Sequence, residues 1–263
     1  LSAQVYDVAI ESPVHPAPFL SKRLGCDVLF KREDLQPIYS FKCRGAYNKI
    51  SSLSSDETKN GIICASAGNH AQGVALSCNL LKIKGTIYMP APTPNQKVEQ
   101  VKMFGKAYVE VVLVGDTFDD SFLEAMEECK KYGKPLVHPF NDSKVIEGQG
   151  TVGLEIIQQS NVPIDYIFIP VGGGGLASGL SSVVKALSPK TKIIVVEPAG
   201  APSMSKSIDS GELMKLSQIE KFVDGASVKQ VGNLTFEICK KHLDVMTTVH
   251  EGKICQTILE MYN

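Results

Sequence analysis

The 263-residue chain has no tryptophan, no C-x-x-C pair and no block of like charges. Each absence narrows what the protein can be. Without paired cysteines at short spacing there is no zinc ribbon and no redox dithiol, and no metal is expected. Lysine and arginine number 27 against 28 acidic residues, a net charge of −1, so electrostatic capture of nucleic acid or of an anionic membrane is excluded. The segment from Leu1 to Pro13 lacks a basic stretch followed by an apolar one, so no signal peptide is expected. A start without Met points to a processed or trimmed product. Seven cysteines, an odd number, favour free thiols in a reducing compartment, and the cytoplasm is the expected location.

One stretch, Tyr166 to Val184, is free of charge, as a membrane span would be. Pro170 and four consecutive glycines interrupt it, and it begins like a buried strand, so it reads as protein interior. With 43% hydrophobic and 21% charged residues the composition is that of a globular chain, large enough to bury roughly 70–75% of its unfolded surface without staples.

Apolar runs recur at the intervals of an alternating α/β chain. Strands are predicted at Asp27–Phe30, Gly61–Cys64, Thr86–Met89, Tyr108–Val114, Leu136–His138, Tyr166–Val171 and Lys192–Val196, with helical spacing over Ala71–Leu81, Phe118–Lys131 and Val145–Gln159. Such alternation implies mostly parallel sheets covered on both faces. The proline-rich Pro90–Pro94 reads as a loop leading into a helix start. No internal repeat, low-complexity segment or linker is present.

The run Tyr166–Val171 passes directly into Gly172-Gly173-Gly174-Gly175-Leu176 and then a helical pattern. Strand, glycine turn and helix start make a phosphate cradle, because glycine lets the backbone approach while its N–H groups and the helix N-terminus face the anion. The same segment satisfies a relaxed dinucleotide fingerprint, Gly172-x-Gly174-x-x-Ala177. Glu197, 20 residues further on at the end of the next strand, stands where a ribose-binding acid would. On this segment alone a dehydrogenase is an open alternative.

Two further segments gain meaning only together. Taken by itself, Lys42 in Ser40-Phe41-Lys42-Cys43-Arg44-Gly45-Ala46 is an ordinary solvated helix lysine, and Cys43 is packing. Ser66-Ala67-Gly68-Asn69-His70-Ala71-Gln72-Gly73 follows a predicted strand and opens a helix, which suits either a carboxylate held by backbone N–H groups or a helix start without a ligand.

In order and spacing, K-R-E-D-L-Q-x-x-x-S-F-K-x-R-G-A (31–46), S-A-G-N-H-A-Q-G (66–73) and G-G-G-G-L (172–176) resemble threonine deaminase (threonine dehydratase), of the fold type II enzymes that use pyridoxal 5'-phosphate (PLP). Val145–Gly153, Val196–Met204 and Phe222–Ala226 are similar to that family too, so the resemblance runs along essentially the whole chain. It implies two α/β domains with open, mostly parallel twisted sheets flanked by helices: a larger PLP-binding domain of residues 1–45 plus 142–263, and a smaller mobile domain of residues 46–141. It implies that Lys42 carries PLP as an internal Schiff base, that Phe41 packs beside the ring and that Asn69 bonds the ring hydroxyl. Gly172, Gly173, Gly174, Gly175 and Leu176 would hold the phosphate, while Ser66, Ala67, Gly68, Asn69 and His70 would hold the substrate carboxylate.

The implied reaction removes the Cα proton and β-hydroxyl of an amino acid. Threonine would give 2-oxobutanoate and ammonia, a first step towards isoleucine, and serine would give pyruvate. A homo-oligomer is expected. The family continues beyond Asn263 with a Ser-Gly-Ala-Asn segment whose serine faces the pyridine nitrogen, and some members add a regulatory domain, so this chain is expected to be a fragment. Serine racemase shares the lysine but needs a second acid/base on the other face of the cofactor, where this chain has Ala67. The remaining alternative is a silent fragment that binds cofactor without turnover.

Overall fold

The alternation expected from the sequence resolves into two separate parallel sheets, each of three strands, in a computed structural model that describes residues 2–262. In chain order the elements are β1 (Val14–Pro16), α1 (Pro18–Leu24), β2 (Leu29–Lys31), α2 (Lys42–Ser51), α3 (Ser55–Thr58), β3 (Ile62–Ala65), α4 (Asn69–Leu81), β4 (Gly85–Met89), α5 (Asn95–Gly105), β5 (Val109–Leu113), α6 (Phe118–Tyr132), α7 (Ser143–Gln159), β6 (Tyr166–Pro170), α8 (Gly175–Leu187), β7 (Lys192–Pro198), α9 (Ser203–Ser210), α10 (Asn233–His242), β8 (Val245–Val249) and α11 (Glu251–Tyr262).

One sheet has the order β3-β4-β5 and the other β6-β7-β8, with every pairing parallel. Strand β3 is buried at all four residues, as a continuously apolar central strand should be. Ile62, Cys64, Ile87 and Met89 pack with Ala71, Val74 and Cys78 of α4 to form one core. The second core joins Ile167 and Ile169 of β6, Ile193 and Val195 of β7, Ala177, Leu180 and Val184 of α8, and Phe236 of α10.

Three sequence expectations change. Asp27–Phe30 shifts to Leu29–Lys31 and joins no parallel sheet, because β2 pairs antiparallel with β1, a strand the alternation did not reveal. Leu136–His138 is only a bridge from Leu136 to Ile63: Pro135 and Pro139 close off the short run and supply no N–H for a longer ladder. The second sheet is not covered on both faces, since β6 buries Ile167 and Ile169 but leaves Tyr166 and Phe168 exposed. Strand β8 also went unseen, its Val245-Met-Thr-Thr-Val249 offering two polar residues in five.

Helix α2 lies between the sheets' helices and packs closely on both sides. A Cβ at Gly73 of α4 would stand 2.9 Å from the Lys42 carbonyl oxygen, and one at Gly45 only 2.5 Å from the Gln149 amide nitrogen of α7. Its first turn is also anchored electrically. The fully buried Arg44 guanidinium bonds Glu33 at 2.8 Å and pairs with Glu155 of α7, which in turn accepts Lys31 Nζ at 2.6 Å and the Tyr6 hydroxyl at 3.0 Å. Removing one member would strand a buried charge, at a cost of about 3–5 kcal/mol.

Helix starts separate the elements into two kinds. Helix α6 opens with a Thr117–Asp120 capping box, and α7 with Asp142 accepting the N–H of Lys144 and Val145. Helices α4 and α8 follow Gly68 and Gly174 and have no side-chain cap. Their first N–H groups are left for something else.

Candidate active site

Lys42 is the first residue of α2, and burial pushes its amine down from 10.5 to about 8. Its Nζ donates to the Pro139 carbonyl oxygen at 2.9 Å and lies 5.6 Å from the centre of the Phe41 ring. Among the described residues no carboxylate pairs with it. Its titratable neighbours are neutral. Burial, reinforced by the Lys42 charge, pushes His70 down to about 3 and His138 to about 4, and burial pushes the Cys64 thiol up. Cys43, next in sequence, is buried with its thiol pushed up to about 12, which suits packing and not nucleophilic attack.

The glycine turn sits at the head of α8, and among the described residues there is no acceptor on the backbone N–H of Gly172, Gly173, Gly174, Gly175, Leu176 or Ala177. Its shape requires glycine. Gly174 has φ +90°, and a Cβ there would meet Met204 Cε at 2.7 Å and Thr235 Cβ at 2.9 Å. A Cβ on Gly173 would come within 2.2 Å of the Phe140 ring, and one on Gly172 within 2.9 Å of Ala226 Cα. Thr235 Oγ1 pins the turn by donating to the Gly173 carbonyl at 2.7 Å. A dense shell therefore holds a set of free N–H donors.

The loop before α4 is looser. Gly68 donates its N–H to Ser66 Oγ at 3.3 Å, and a Cβ on Gly68 would find only an Asp224 carboxylate oxygen, at 4.0 Å. Asn69 is exposed at the first helical position, and Ala67 is half-buried. The His70 ring is buried, its Nε2 faces the Val137 carbonyl at 2.9 Å, and among the described residues its Nδ1 has no partner.

Glu197 does not serve a ribose. Its carboxylate accepts the N–H of Met204 at 2.7 Å and of Ser205 at 2.8 Å, and the Ser205 hydroxyl at 2.6 Å, capping α9 from the end of β7. The dinucleotide alternative loses its acid. Sequence reasoning missed the turn Pro139–Phe140, which touches both Lys42 and the glycine turn. It also missed Lys97 of α5, whose Nζ lies 2.6 Å from Asp224. The one local signal was a His-Pro-Phe run closing an apolar stretch.

Two parallel α/β sheets, a lysine on the helix between them whose amine is pushed down to about 8, and two helix N-termini without side-chain caps suit chemistry on an amine with anions held nearby. Residues 5–263 match the family described as pyridoxal-phosphate dependent enzyme, and the chain belongs to that family, with fold type II. It is 54% identical over 257 residues to the biosynthetic L-threonine dehydratase IlvA of Halalkalibacterium halodurans, covering 98% of this chain and 62% of the relative. The chain thus spans about three fifths of the length of that curated relative. Among solved structures, the processed form of threonine deaminase isoform 2 from Solanum lycopersicum aligns with TM-score 0.91 and 48% identity, over 95% of this chain and 68% of the other. Maize serine racemase aligns with TM-score 0.93 and 30% identity, over 98% and 77%.

PLP, the family's cofactor, presents a phosphate, a ring and an aldehyde, and the residues here fit it. N–H donors in a rigid turn suit the phosphate, and an amine pushed well below the ordinary lysine value suits the aldehyde.

Proposed function

We propose that this chain dehydrates and deaminates L-threonine to 2-oxobutanoate and ammonia, and L-serine to pyruvate, towards isoleucine. The observation that carries the reading is Lys42: a half-buried lysine whose amine is pushed down to about 8, with no carboxylate partner among the described residues, in a chain 54% identical to a relative named threonine dehydratase. When bound, PLP supplies an electron-withdrawing conjugated system beside the substrate Cα. The rest falls to the protein. Lys42 attaches the cofactor and, once free, takes the Cα proton, for which an amine pushed down to about 8 is suited. Gly172, Gly173, Gly174, Gly175 and Leu176 hold the phosphate through backbone N–H groups, with Phe41 beside the ring and Asn69 directed to its hydroxyl. Ser66, Ala67, Gly68, Asn69 and the His70 N–H receive the substrate carboxylate at the start of α4. His70 and His138, both neutral, leave the lysine's proton unchallenged.

We assign residues 1–45 plus 142–263 to a larger PLP-binding domain and residues 46–141 to a smaller mobile one, a division supported by the two separate sheets. A homo-oligomer in the cytoplasm is part of the same reading. Seven free cysteines suit a reducing compartment, and among the described residues no helix is long and apolar enough to cross a membrane. The test is incubation of the 263-residue chain with PLP and threonine. Formation of 2-oxobutanoate is expected. A chain that binds PLP but yields no oxo acid would be a silent binder, and D-serine made from L-serine would favour a racemase despite Ala67.

A further inference from the structure

We propose that His138 is a positioning residue: its Nδ1 sets the turn that aims one carbonyl at Lys42 and one aromatic ring at the glycine turn. Nδ1 accepts the backbone N–H of Phe140 at 3.2 Å and of Asn141 at 2.9 Å. One imidazole thus ties down residues two and three places ahead, as an Asn or Asp side chain does in an Asx turn. The contacts of four successive residues depend on that turn. The Pro139 carbonyl accepts Lys42 Nζ at 2.9 Å, the only hydrogen bond this amine makes among the described residues. The Phe140 ring fills the space in front of Gly173, and the Cα and Cβ of Phe140 lie in front of Gly175. Asn141 Oδ1 accepts the Leu234 N–H at 3.0 Å while its Nδ2 bonds Asn233 at 2.7 Å, fixing the start of α10. Asp142 then caps α7.

The tautomer follows from these bonds, since an Nδ1 that accepts two N–H groups carries no proton. The ring is held edge-on by Phe140 at 4.7 Å and Phe122 at 5.8 Å. The charged or titratable groups that act on His138 are Lys42, which opposes its protonation, and Asp142, which favours it; His70 and Cys64 are the other titratable groups around Lys42. Burial keeps the imidazole neutral, so Nδ1 stays an acceptor at neutral pH. His138 touches neither reacting atoms nor cofactor. It acts through the backbone it holds.

The inference rests on the reading of Lys42 as the cofactor-bearing amine, and two substitutions separate acceptor from ring. His138→Phe keeps the aromatic packing and removes the acceptor. His138→Asn removes the ring and restores an acceptor for the same two N–H groups. Two readouts apply to each: PLP affinity by titration, and the pH midpoint for reductive methylation of Lys42 in cofactor-free protein, followed by peptide mapping. His138→Phe is expected to weaken PLP binding about tenfold, the result of losing two turn hydrogen bonds. It should also lower the Lys42 midpoint by about one unit, because the ammonium loses its one acceptor while burial persists. His138→Asn should stay within about threefold and about 0.3 units of the unmodified chain. If His138→Phe matches the unmodified chain in both readouts, or if both variants fall together, the ring is merely packing and the proposal is overturned. Absence of PLP attachment in the unmodified chain would instead undo the reading of Lys42, and the cofactor-free midpoint would still decide the role of His138.

Discussion

Two helix N-termini in this molecule look alike on paper and differ in build. Both α4 and α8 follow a strand of a parallel sheet, both start after a glycine, and neither has a side-chain cap. Around Gly172–Gly174 every added Cβ would collide with Ala226, Phe140, Met204 or Thr235 at 2.2–2.9 Å, whereas one on Gly68 meets a single carboxylate oxygen at 4.0 Å. A packed shell holds its N–H donors at fixed spacing, which suits a phosphate that stays. An open loop can shift, which suits a carboxylate that arrives and leaves with each turnover. Lys42 stands between them, linked to the α8 side through Pro139 and Phe140 and to the α4 side through the contact of Gly73 with its own carbonyl.

The largest expected effect falls on the element the two helices share. Lys42→Ala should remove turnover by about 10⁴-fold or more, since both the attachment point and the proton acceptor go, while the fold persists. A 2-oxobutanoate assay with a melting curve checks it, and surviving turnover would leave the two anion sites without a common centre.

Gly174→Val tests the rigid side. A β-branched residue at φ +90° costs about 1–3 kcal/mol in backbone strain, and its Cβ would press on Met204 and Thr235. PLP affinity should fall about 100-fold, with a lower melting temperature, because the same shell holds both fold and donors. Unchanged PLP affinity in a titration would break the distinction between the two turns.

Acid should loosen both sides, through His70 on α4 and through His138 on the turn that packs against the head of α8. His70 and His138 titrate at about 3 and about 4 in the folded chain, below the ordinary 6.5 of an unfolded histidine. The unfolded chain therefore binds more protons between these limits. Stability from these rings is fully present above pH 6.5 and is lost as pH falls through 4 towards 3, several kcal/mol in all. Urea unfolding at pH 7 and pH 4 measures it, and His70→Asn should flatten the fall.

The smallest effect is expected at the loose turn. Gly68→Ala should change stability by less than about 0.5 kcal/mol and PLP affinity by less than about threefold, since the added methyl enters open space. Its influence should appear in the KM for threonine. A large loss of PLP binding there would show that the α4 turn is as tightly built as the other.

How much of this was legible in the sequence follows from how local each signal is. The glycine turn could be read directly, because strand, four glycines and helix start lie side by side and their physics is local. The Ser66–Gly73 loop was readable as an anion site or a plain helix start, and its openness was not, since that depends on Asp224, far away in the chain. Lys42 carried no local signal at all; only the resemblance singled it out. Its partial burial comes from α2 lying between α4 and α7, and its one hydrogen-bond partner among the described residues stands 97 residues away. His138, Pro139 and Phe140 were invisible as a group for the same reason. The capping role of Glu197 was missed because its position at a strand end suited a dinucleotide equally well until α9 was seen folding back onto it.

The central claim, that Lys42 is the amine on which the cofactor is carried between these two anion sites, is open to one direct measurement. The 263-residue chain would be incubated with PLP, treated with borohydride, digested and mapped by mass spectrometry. A single phosphopyridoxyl adduct on Lys42, lost in competition with excess inorganic phosphate, is the expected result. An adduct spread over surface lysines, or one on another lysine with Lys42 unmodified, would contradict it.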